Sequence, residues 1–420
     1  MAEAENITLG GMPPDVRGIE YLRRKLNRKR TRVLRRYKFY EMKNLVRDLG
    51  ISTPPQLRAW NSALGWCAHA VDDLADRMVF REFRDDVFDM TGIYALNNPD
   101  VLFDNAVLSA LISACSFVRI YQGEANVSLE VLDGGNATGI IDARTNLLKE
   151  GYAVLSRADD NSAVLEAWLL PGVTHYYERG KWIRSEYHAG PAPLLVPIIH
   201  RPDAVRPFGH SRISRACMDY AEAAVRTLKR SEISAEFYSF PQKWVTGLSQ
   251  DFEMTDKWQA AMSSFIAMTQ DEDGNAPKFG QFSQGSQQPH LEQLRMYASL
   301  FAGETGLTLD DLGFPSDNPS SQEAIKAAHE NLRRKARKAQ RTFGSGLLNA
   351  GYLAACVRDD YPYKRDALTT TKAIWEPTFE PDASGLNLIG DGLIKLSQAM
   401  PDYVTPQMLG DLTGIYPGGL

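Results

Sequence analysis

The stretch CAHAVDDLADR sets His69, Asp72 or Asp73, and Asp76 on one face of a helix. An imidazole and carboxylates one turn apart have the donor types to hold a divalent cation. With such a metal, the chain would read as a DNA-processing enzyme. Acids and a histidine at this spacing are, however, more often a solvated helix face. His175, His188, His200, His210, His290 and His329 are scattered, and a lone imidazole usually just has a polar partner. Ser345 stands between Gly344 and Gly346, but no strand precedes it, so it reads as a helix terminus and not a nucleophile elbow. No GxxxxGK[ST] phosphate loop is present, nor GxGxxG, GxSxG or HExxH. Cys67, Cys115, Cys217 and Cys356 lie far apart, without a CxxC or Cys/His cluster. They read as small buried apolar residues in a reducing compartment. The expectation is a protein that is not an enzyme and has no metal and no cofactor.

Size and composition agree with an ordinary soluble protein of more than one domain. The chain has 420 residues, 44% of them hydrophobic and 24% charged. Its net charge of −5 argues against coating nucleic acid by bulk attraction. The N-terminal MAEAENITLGGMPPD has acids and no apolar core, so it reads as neither a signal nor a transit peptide. The longest apolar runs, such as AVLSALISAC, are too short to span a bilayer. The chain is therefore expected to be made in the cytosol and to have no membrane partner.

The elements follow from hydrophobic period. Residues 16–42 read as a helix, with a stripe at Ile19, Leu22, Leu26, Val33 and Leu34 among many arginines and lysines. That basic run could touch nucleic acid, though charge runs are more often solvated or inter-subunit faces. A second helix is predicted over 56–78, and a third over 99–114. Then the period changes to two. SFVRIYQGEANVSLEVL alternates like a strand pair around Gln122-Gly123-Glu124, and LEAWLLPGVTHYYERGKWIRSEYH gives further strands turning at residues 178–181. A β-rich block thus covers 116–200. PFGHSRIS opens a long helix over 211–236, broken at Pro241. Residues 242–288 mix a helical piece (TDKWQAAMSSFIAMTQ), a turn at Asp273-Gly274-Asn275 and an extended run, KFGQFSQGSQQ, which suits either a strand or a polar loop. A further helix covers 289–304.

GFPSDNPSSQEAI, residues 313–325, stands between two helical runs, and Pro315 and Pro319 prevent a helix from passing through it. The helix that follows carries a near-heptad seam at Ile325, Ala328, Leu332, Ala336, Ala339 and Phe343. Ser320 or Ser321 is its expected cap, and Gly344 and Gly346 its expected end. Residues 375–420 form a Pro/Gly-punctuated tail with one helical piece, GDGLIKLSQAM.

Five stretches, in order, resemble the portal proteins of tailed double-stranded-DNA phages, particularly those of actinobacteria. They are RAWNSALGWCAHAVDDLADRMVFREFR, ALNNPDVLFDNAVLSALISACSFVRIY, PFGHSRISRACMDYAEAAVRTLKRSEISAEFYSFPQKWVTG, LGFPSDNPSSQEAIKAAHENLRRKARKAQRTFG and IWEPTFEPDASGLNLIGDGLIKLSQA. Two positions depart from the family pattern. A Tyr-Tyr-x-Gly-like corner reads Phe39-Tyr40-Glu41-Met42 here, and Ala114 stands where a glycine is expected.

The resemblance implies an α+β portal fold, mostly helical with a β-rich block and built from wing, stem, clip and crown. On that pattern residues 1–206 are wing and 207–240 a stem helix. Residues 241–286 are clip and 287–306 the second stem helix. Residues 307–322 are a tunnel loop, 323–374 the wing return helix and 375–420 the crown. The implied role is a homo-oligomeric ring of twelve copies at one capsid vertex of the virion, made in the host cytoplasm. Double-stranded DNA passes non-specifically through the lumen during packaging and ejection. The large terminase, then a head–tail adaptor, dock on the ring, and the major capsid and scaffolding proteins surround it. Phe314, Pro315, Ser316, Asp317 and Asn318 are the expected loop facing DNA. Arg226, Lys229, Arg230, Arg333, Arg334 and Arg337 are expected to line the channel or pair with acids of a neighbouring copy. The readings the resemblance displaces are the metal-dependent enzyme and a monomeric basic-helix DNA-binding or scaffold protein.

Overall fold

The computed structural model describes residues 16–44, 62–85, 87–123, 126–239, 243–246, 278–281, 286–315, 327–378, 383–401 and 403–413. These fall into two compact units. The first comprises Met1–Asn44, Gly65–Met218 and Gly303–Leu420, and the second Leu45–Leu64 and Asp219–Ala302.

The first unit opens with α1, Ile19–Tyr40. Leu22 and Leu26 are buried against Tyr152, Val154 and Trp168. Val33 is buried too, but its neighbour Leu34 is 41% exposed, so the expected stripe includes only the first of that pair. Consecutive helical residues point about 100° apart, which leaves room for one. Gly18 precedes the helix without a side-chain cap. The buried Glu150 takes that role from a distance, accepting the N–H groups of Arg17 at 2.9 Å and Gly18 at 2.8 Å. Its carboxylate sits where orphan donors and the helix dipole favour negative charge.

The β-rich block forms two antiparallel sheets. Strands β1, Phe80–Arg84, and the block's β2, Cys115–Gln122, and β3, Val127–Leu132, come first in the chain. They are followed by β4, Ala137–Ile141, β5, Leu148–Arg157, β6, Ala163–Leu170, β7, Val173–Glu178, β8, Lys181–Tyr187, and β9, Leu195–Ile199. β4 to β8 make a five-stranded meander, and a three-stranded sheet has the order β3-β2-β9. The alternating run over 116–132 is the β2–β3 pair, as its pattern predicts. The turn over 178–181 is also as predicted. Arg179 at φ +47° and Gly180 at φ +79° form a two-residue hairpin loop of the twist that matches paired strands.

Pro197 lies in the middle of β9, an edge strand opposite Phe117. His200 donates its N–H to Ala114 O, and Leu194 O accepts from Ile120 N. Even-numbered residues of β9 therefore bond β2, and the nitrogen of Pro197 faces outward, so no ladder bond is lost.

Helices pack around these sheets. α2 is Trp66–Ala75, α3 Met90–Ala95 and α4 Pro99–Ser113. α2 is shorter than predicted: Gly65 is its N-cap, residues 62–64 are not helical, and the expected start lies outside the described residues. The helix expected to open at Ser211 begins at Arg215; we label Arg215–Ser239 α5. Ser211 and Arg212 are buried and serve the core instead. Ser211 Oγ donates to Ile112 O at 2.6 Å and Arg212 Nε to Ala70 O at 2.9 Å. Ser214 Oγ then accepts from Cys217 N at 3.2 Å, capping the first turn.

The second unit holds most of α5 and of α6, Gln288–Thr305. The two run antiparallel and are joined through side chains: Thr227 to Gln293 at 3.3 Å and Ser231 to Gln287 at 3.0 Å. β10, Lys243–Thr246, pairs antiparallel with β11, Lys278–Gln281, so the first residues of the glutamine-rich run are a strand. The remainder of that run, the turn at Asp273 and TDKWQAAMSSFIAMTQ lie outside the described residues.

The longest helix is α7, Glu330–Arg358. It does not end at Gly344 and Gly346 as predicted, and Ser345 lies inside it. These glycines are close-packing positions. A Cβ at Gly346 would stand 2.7 Å from Ile198 Cδ1 and 3.1 Å from Pro197 O, and one at Gly344 3.2 Å from Ala373 Cβ. The seam residues Leu332, Ala336, Ala339 and Phe343 are buried, whereas Ala328 is exposed. α7 packs on β2, β9, α3 and β12, Lys372–Trp375, which pairs with β1. Phe80, Phe83, Tyr94 and Phe103 close this corner, with Phe80 and Phe103 centroids 4.1 Å apart. The tail carries α8, Ala383–Ala399, and α9, Pro406–Thr413. All four cysteines are buried and free. Among the described residues, no helix is long and apolar enough to cross a membrane.

Both departures from the family pattern stand at left-handed backbone. Met42 has φ +57° and Ala114 φ +82°. At Met42 the helix end forms a Schellman motif, with Lys43 N to Lys38 O at 2.7 Å and Met42 N to Phe39 O at 3.3 Å. At Ala114 the chain turns from α4 into β2. A side chain there costs ~1–2 kcal/mol, and glycine relieves it at some expense in chain entropy. Ala114→Gly is expected to raise stability by about 1 kcal/mol, and Met42→Gly by somewhat less, read as urea midpoints. An unchanged or lowered midpoint for Ala114→Gly would contradict this.

Candidate functional site

The acidic face of α2 does not gather a metal site. Asp72 accepts the hydroxyl of Tyr40 at 2.9 Å. Burial, then the nearby Asp311, raises the carboxyl of Asp73 above its ordinary range; burial, then Asp72 and Asp104, does the same for Asp76. Among the described residues no three His, Cys, Asp or Glu side chains converge so as to hold a metal ion.

His175, His200 and His210 have local partners. His175 Nδ1 meets Ser185 Oγ at 2.7 Å, and His210 stands 3.4 Å from Asp203. His200 is buried against Phe343, and its Nδ1–H donates to His210 O at 2.7 Å. Burial pushes its pKa from 6.5 down to about 3, only partly offset by that bond. The unfolded chain takes up this proton near pH 6.5 and the native chain only near pH 3. Stability is therefore lost as pH falls through that window, by ~1.4 kcal/mol per pH unit for this group. Between pH 7 and 5, wild type is expected to lose about 2 kcal/mol more than His200→Asn, measured by urea unfolding. Equal losses would remove His200 from the acid response.

The base of the proline loop is firmly built. A short 3-10 turn, Asp310–Leu312, follows α6. Thr308 N donates to Asp311 Oδ2 at 2.7 Å and Asp311 N to Thr308 Oγ1 at 3.2 Å, a reciprocal pair that satisfies two orphan donors. Gly313, at φ +87°, ends the turn, and Phe314 N donates to Leu309 O at 3.0 Å. Leu312 is buried, Phe314 half-buried and Pro315 exposed. Ser316, Asp317 and Asn318, and the expected caps Ser320 and Ser321, lie outside the described residues.

The basic candidates divide between the units. Arg226 and Arg230 are exposed and Lys229 half-buried on α5, in the second unit. Arg333, Arg334 and Arg337 are on α7, in the first. Arg333 grips Glu330 of its own helix at 2.6 Å, which raises its pKa; an exposed pair of this kind adds little stability. Arg334 and Arg337 are exposed. Arg337 opens onto a groove of about 720 Å³ shared with Arg341, Arg365, Lys372 and Trp375. Arg365 donates to Thr145 O at 2.8 Å while its other terminal nitrogen has no partner. Among the described residues no carboxylate lines this groove. Arg365 and Lys372 escaped the sequence reading because nothing signalled that β12 would fold back along α7.

The arginine- and lysine-rich face of α1 is largely engaged within the chain. Arg23 holds Glu166 at 2.6 Å, which with Glu20 keeps its pKa raised against the cost of burial. Lys25 donates to Gly139 O at 2.6 Å, Arg30 to Asn161 Oδ1 at 2.9 Å and Arg36 to Ile213 O at 3.2 Å. Much of this charge therefore straps the helix to the neighbouring strands and loops.

No family model matches the chain. The resemblance read from the ordered stretches nevertheless holds across most of its length. The chain is 23% identical over 391 residues to the portal protein of Mycobacterium phage D29, covering 87% of this chain and 80% of that one. It is 23% identical over 393 residues to the portal protein of Mycobacterium phage L5, with the same coverage. Among solved structures, the virion of a native gene transfer agent particle matches at a TM-score of 0.48 and 13% identity, over 84% of this chain and 90% of that one. The neck of the native gene transfer agent particle, computed with C12 symmetry, matches at 0.46 and 14% identity with the same coverage.

Proposed function

We propose that this chain is a portal protein, a structural and non-enzymatic subunit of a phage virion. The observation that carries this reading is the likeness to two phage portal proteins over 87% of its length. On this reading twelve copies form a ring at one capsid vertex, and the genome enters and leaves through its lumen. The large terminase and then a head–tail adaptor dock on it, with the major capsid and scaffolding proteins around it.

The division of the chain supports an assignment of parts. The second unit, two antiparallel helices with the β10–β11 pair, suits a stem with its clip. The first unit, with its two sheets and α7, suits a wing, and α8 and α9 suit a crown. Apolar side chains left exposed support further copies against them: Leu291, Met296 and Leu300 on α6, and Leu388 and Ile394 on α8. The carboxylate-free groove at Arg337 suits acids of a neighbouring copy. Phe314 to Asn318 would then form the finger facing DNA.

Electron microscopy of the virion vertex, or of the purified chain with its capsid partners, tests the proposal. Annular assemblies of this chain with a central bore, and residues 315–318 lining it, are the expected result. A vertex that lacks such a ring, or a ring whose 315–318 segments turn outward, would reject it.

A further inference from the structure

A second cationic cleft, of about 690 Å³, lies between α1 and the segment from residue 200 to 215, entirely within the first unit. Three of its cations are half-buried: Lys25, Lys29 and Arg36. Lys25 and Lys29 stand over the ring of Phe208, at 4.8 and 5.4 Å from its centroid. Around them are the exposed Arg28, Arg32, Arg201, Arg206 and Arg215. Among the described residues one carboxylate, Glu304, reaches the lining. Behind the wall the buried Arg212, within electrostatic reach of Arg201 and Glu304, has a terminal nitrogen without a hydrogen-bond partner.

Eight cations surround one acid, and the half-buried members donate to backbone oxygens (Lys25 to Gly139, Lys29 to Ala137, Arg36 to Ile213), neutral acceptors that satisfy the donors without cancelling the charge. The cost of this charge is visible in the half-buried members. Burial, then Lys29, brings Lys25 down to about 8, and burial, then Arg32 and Arg206, lowers Arg36. Partly desolvated cations interact strongly with an opposite charge. Arginine forks match the oxygens of phosphate in a bidentate way. One carboxylate from another protein segment would neutralise one cation. Closely spaced phosphates bring several negative charges into so small a volume.

We propose that this cleft binds a ligand carrying two or more adjacent phosphate groups, with the Lys25 and Lys29 ammonium groups at its floor and Arg28, Arg32 and Arg206 at its rim. The chemistry is common to a free polyphosphate and to the phosphodiester backbone of nucleic acid. The inference is independent of the portal reading.

The test is calorimetric titration of the full chain with sodium tripolyphosphate at low salt, with a 20-base-pair duplex as competitor. Wild type is expected to bind tripolyphosphate with affinity that falls steeply as salt rises. Arg32→Glu/Arg206→Glu is expected to weaken it by roughly tenfold or more, equivalent to ~1.4 kcal/mol. Arg144→Glu/Lys181→Glu, of the same charge change at exposed positions outside both cationic grooves, is expected to leave it unaltered. The neutral pair Arg32→Gln/Arg206→Gln guards against misfolding and should give an intermediate loss with an unchanged melting profile. Displacement of tripolyphosphate by the duplex identifies nucleic acid as the source of the phosphates; failure to displace identifies a free polyphosphate. Absence of tripolyphosphate binding, or equal loss in both charge-reversed pairs, overturns the proposal. So does a self-association abolished by Arg32→Glu/Arg206→Glu without phosphate binding, which would make the cleft a contact between copies.

Discussion

Removing residues 315–318, with the ends joined by glycine, is expected to leave capsid assembly intact and to cut the yield of DNA-filled heads. A fall of roughly tenfold or more requires only ~1.4 kcal/mol on one step of translocation or retention. The prediction rests on the proposed portal role and on the composition of the loop. From Gly313 to Pro319 there is no lysine or arginine, and Asp317 is its one charge. A duplex sliding past such a segment keeps its counterions, because a phosphate held by a cation would have to be released at each step. The converse variant, Ser316→Lys/Asp317→Lys, is therefore expected to slow packaging without loss of the loop. The base survives both changes, since Thr308 and Asp311 cap each other's backbone below it. Counting full and empty heads by electron microscopy reads the outcome. Normal filling and retention after the excision would reject a role for the loop in the channel.

Phe343→Ala is expected to cost ~3–5 kcal/mol, the range for a fully buried phenylalanine. Phe343 has no exposed surface, lies in the middle of α7 and packs beside His200. Its neighbours cannot collapse freely into the space. On the same stretch of helix, Gly344 and Gly346 already hold Ala373, Trp375, Ile198 and the Pro197 carbonyl at van der Waals distance. Set against ~5–15 kcal/mol for a typical domain, the loss removes a large share of the unit's stability. Arg334→Ala, nine residues earlier and exposed, is expected to change it by less than about 0.5 kcal/mol. Urea titration of both variants decides the matter. A loss below about 1 kcal/mol for Phe343→Ala would mean that α7 is not a core element.

What the sequence showed and what it hid follow from the range of the forces involved. The period-two run at 116–132 and the Arg179-Gly180 turn were legible because strand alternation and left-handed turn residues are local signals. The extent of α7 was misread because glycine is a stop only when the chain needs left-handed backbone. Here three glycines of the helix, at 344, 346 and 351, meet Ala373, Ile198 and Met90, which are remote in sequence. The basic run of α1 was likewise ambiguous, because Glu166, Gly139 and Ile213 stand more than a hundred residues away from the cations they receive. At the base of the loop, Pro315 was legible as a helix breaker, whereas the Thr308–Asp311 backbone caps were not, because Thr and Asp three residues apart are common outside such turns. Arg337 was legible as part of a charged face, but its groove partners Arg365 and Lys372 were not.

Pro197 and α7 together close the free side of β9. The strand is buried along its whole length, and the Pro197 carbonyl would lie 3.1 Å from a Cβ placed at Gly346. Because the proline carries no N–H, the side of the strand turned away from β2 has one donor fewer to satisfy there, and an apolar helix face can seal it without supplying an acceptor at that position.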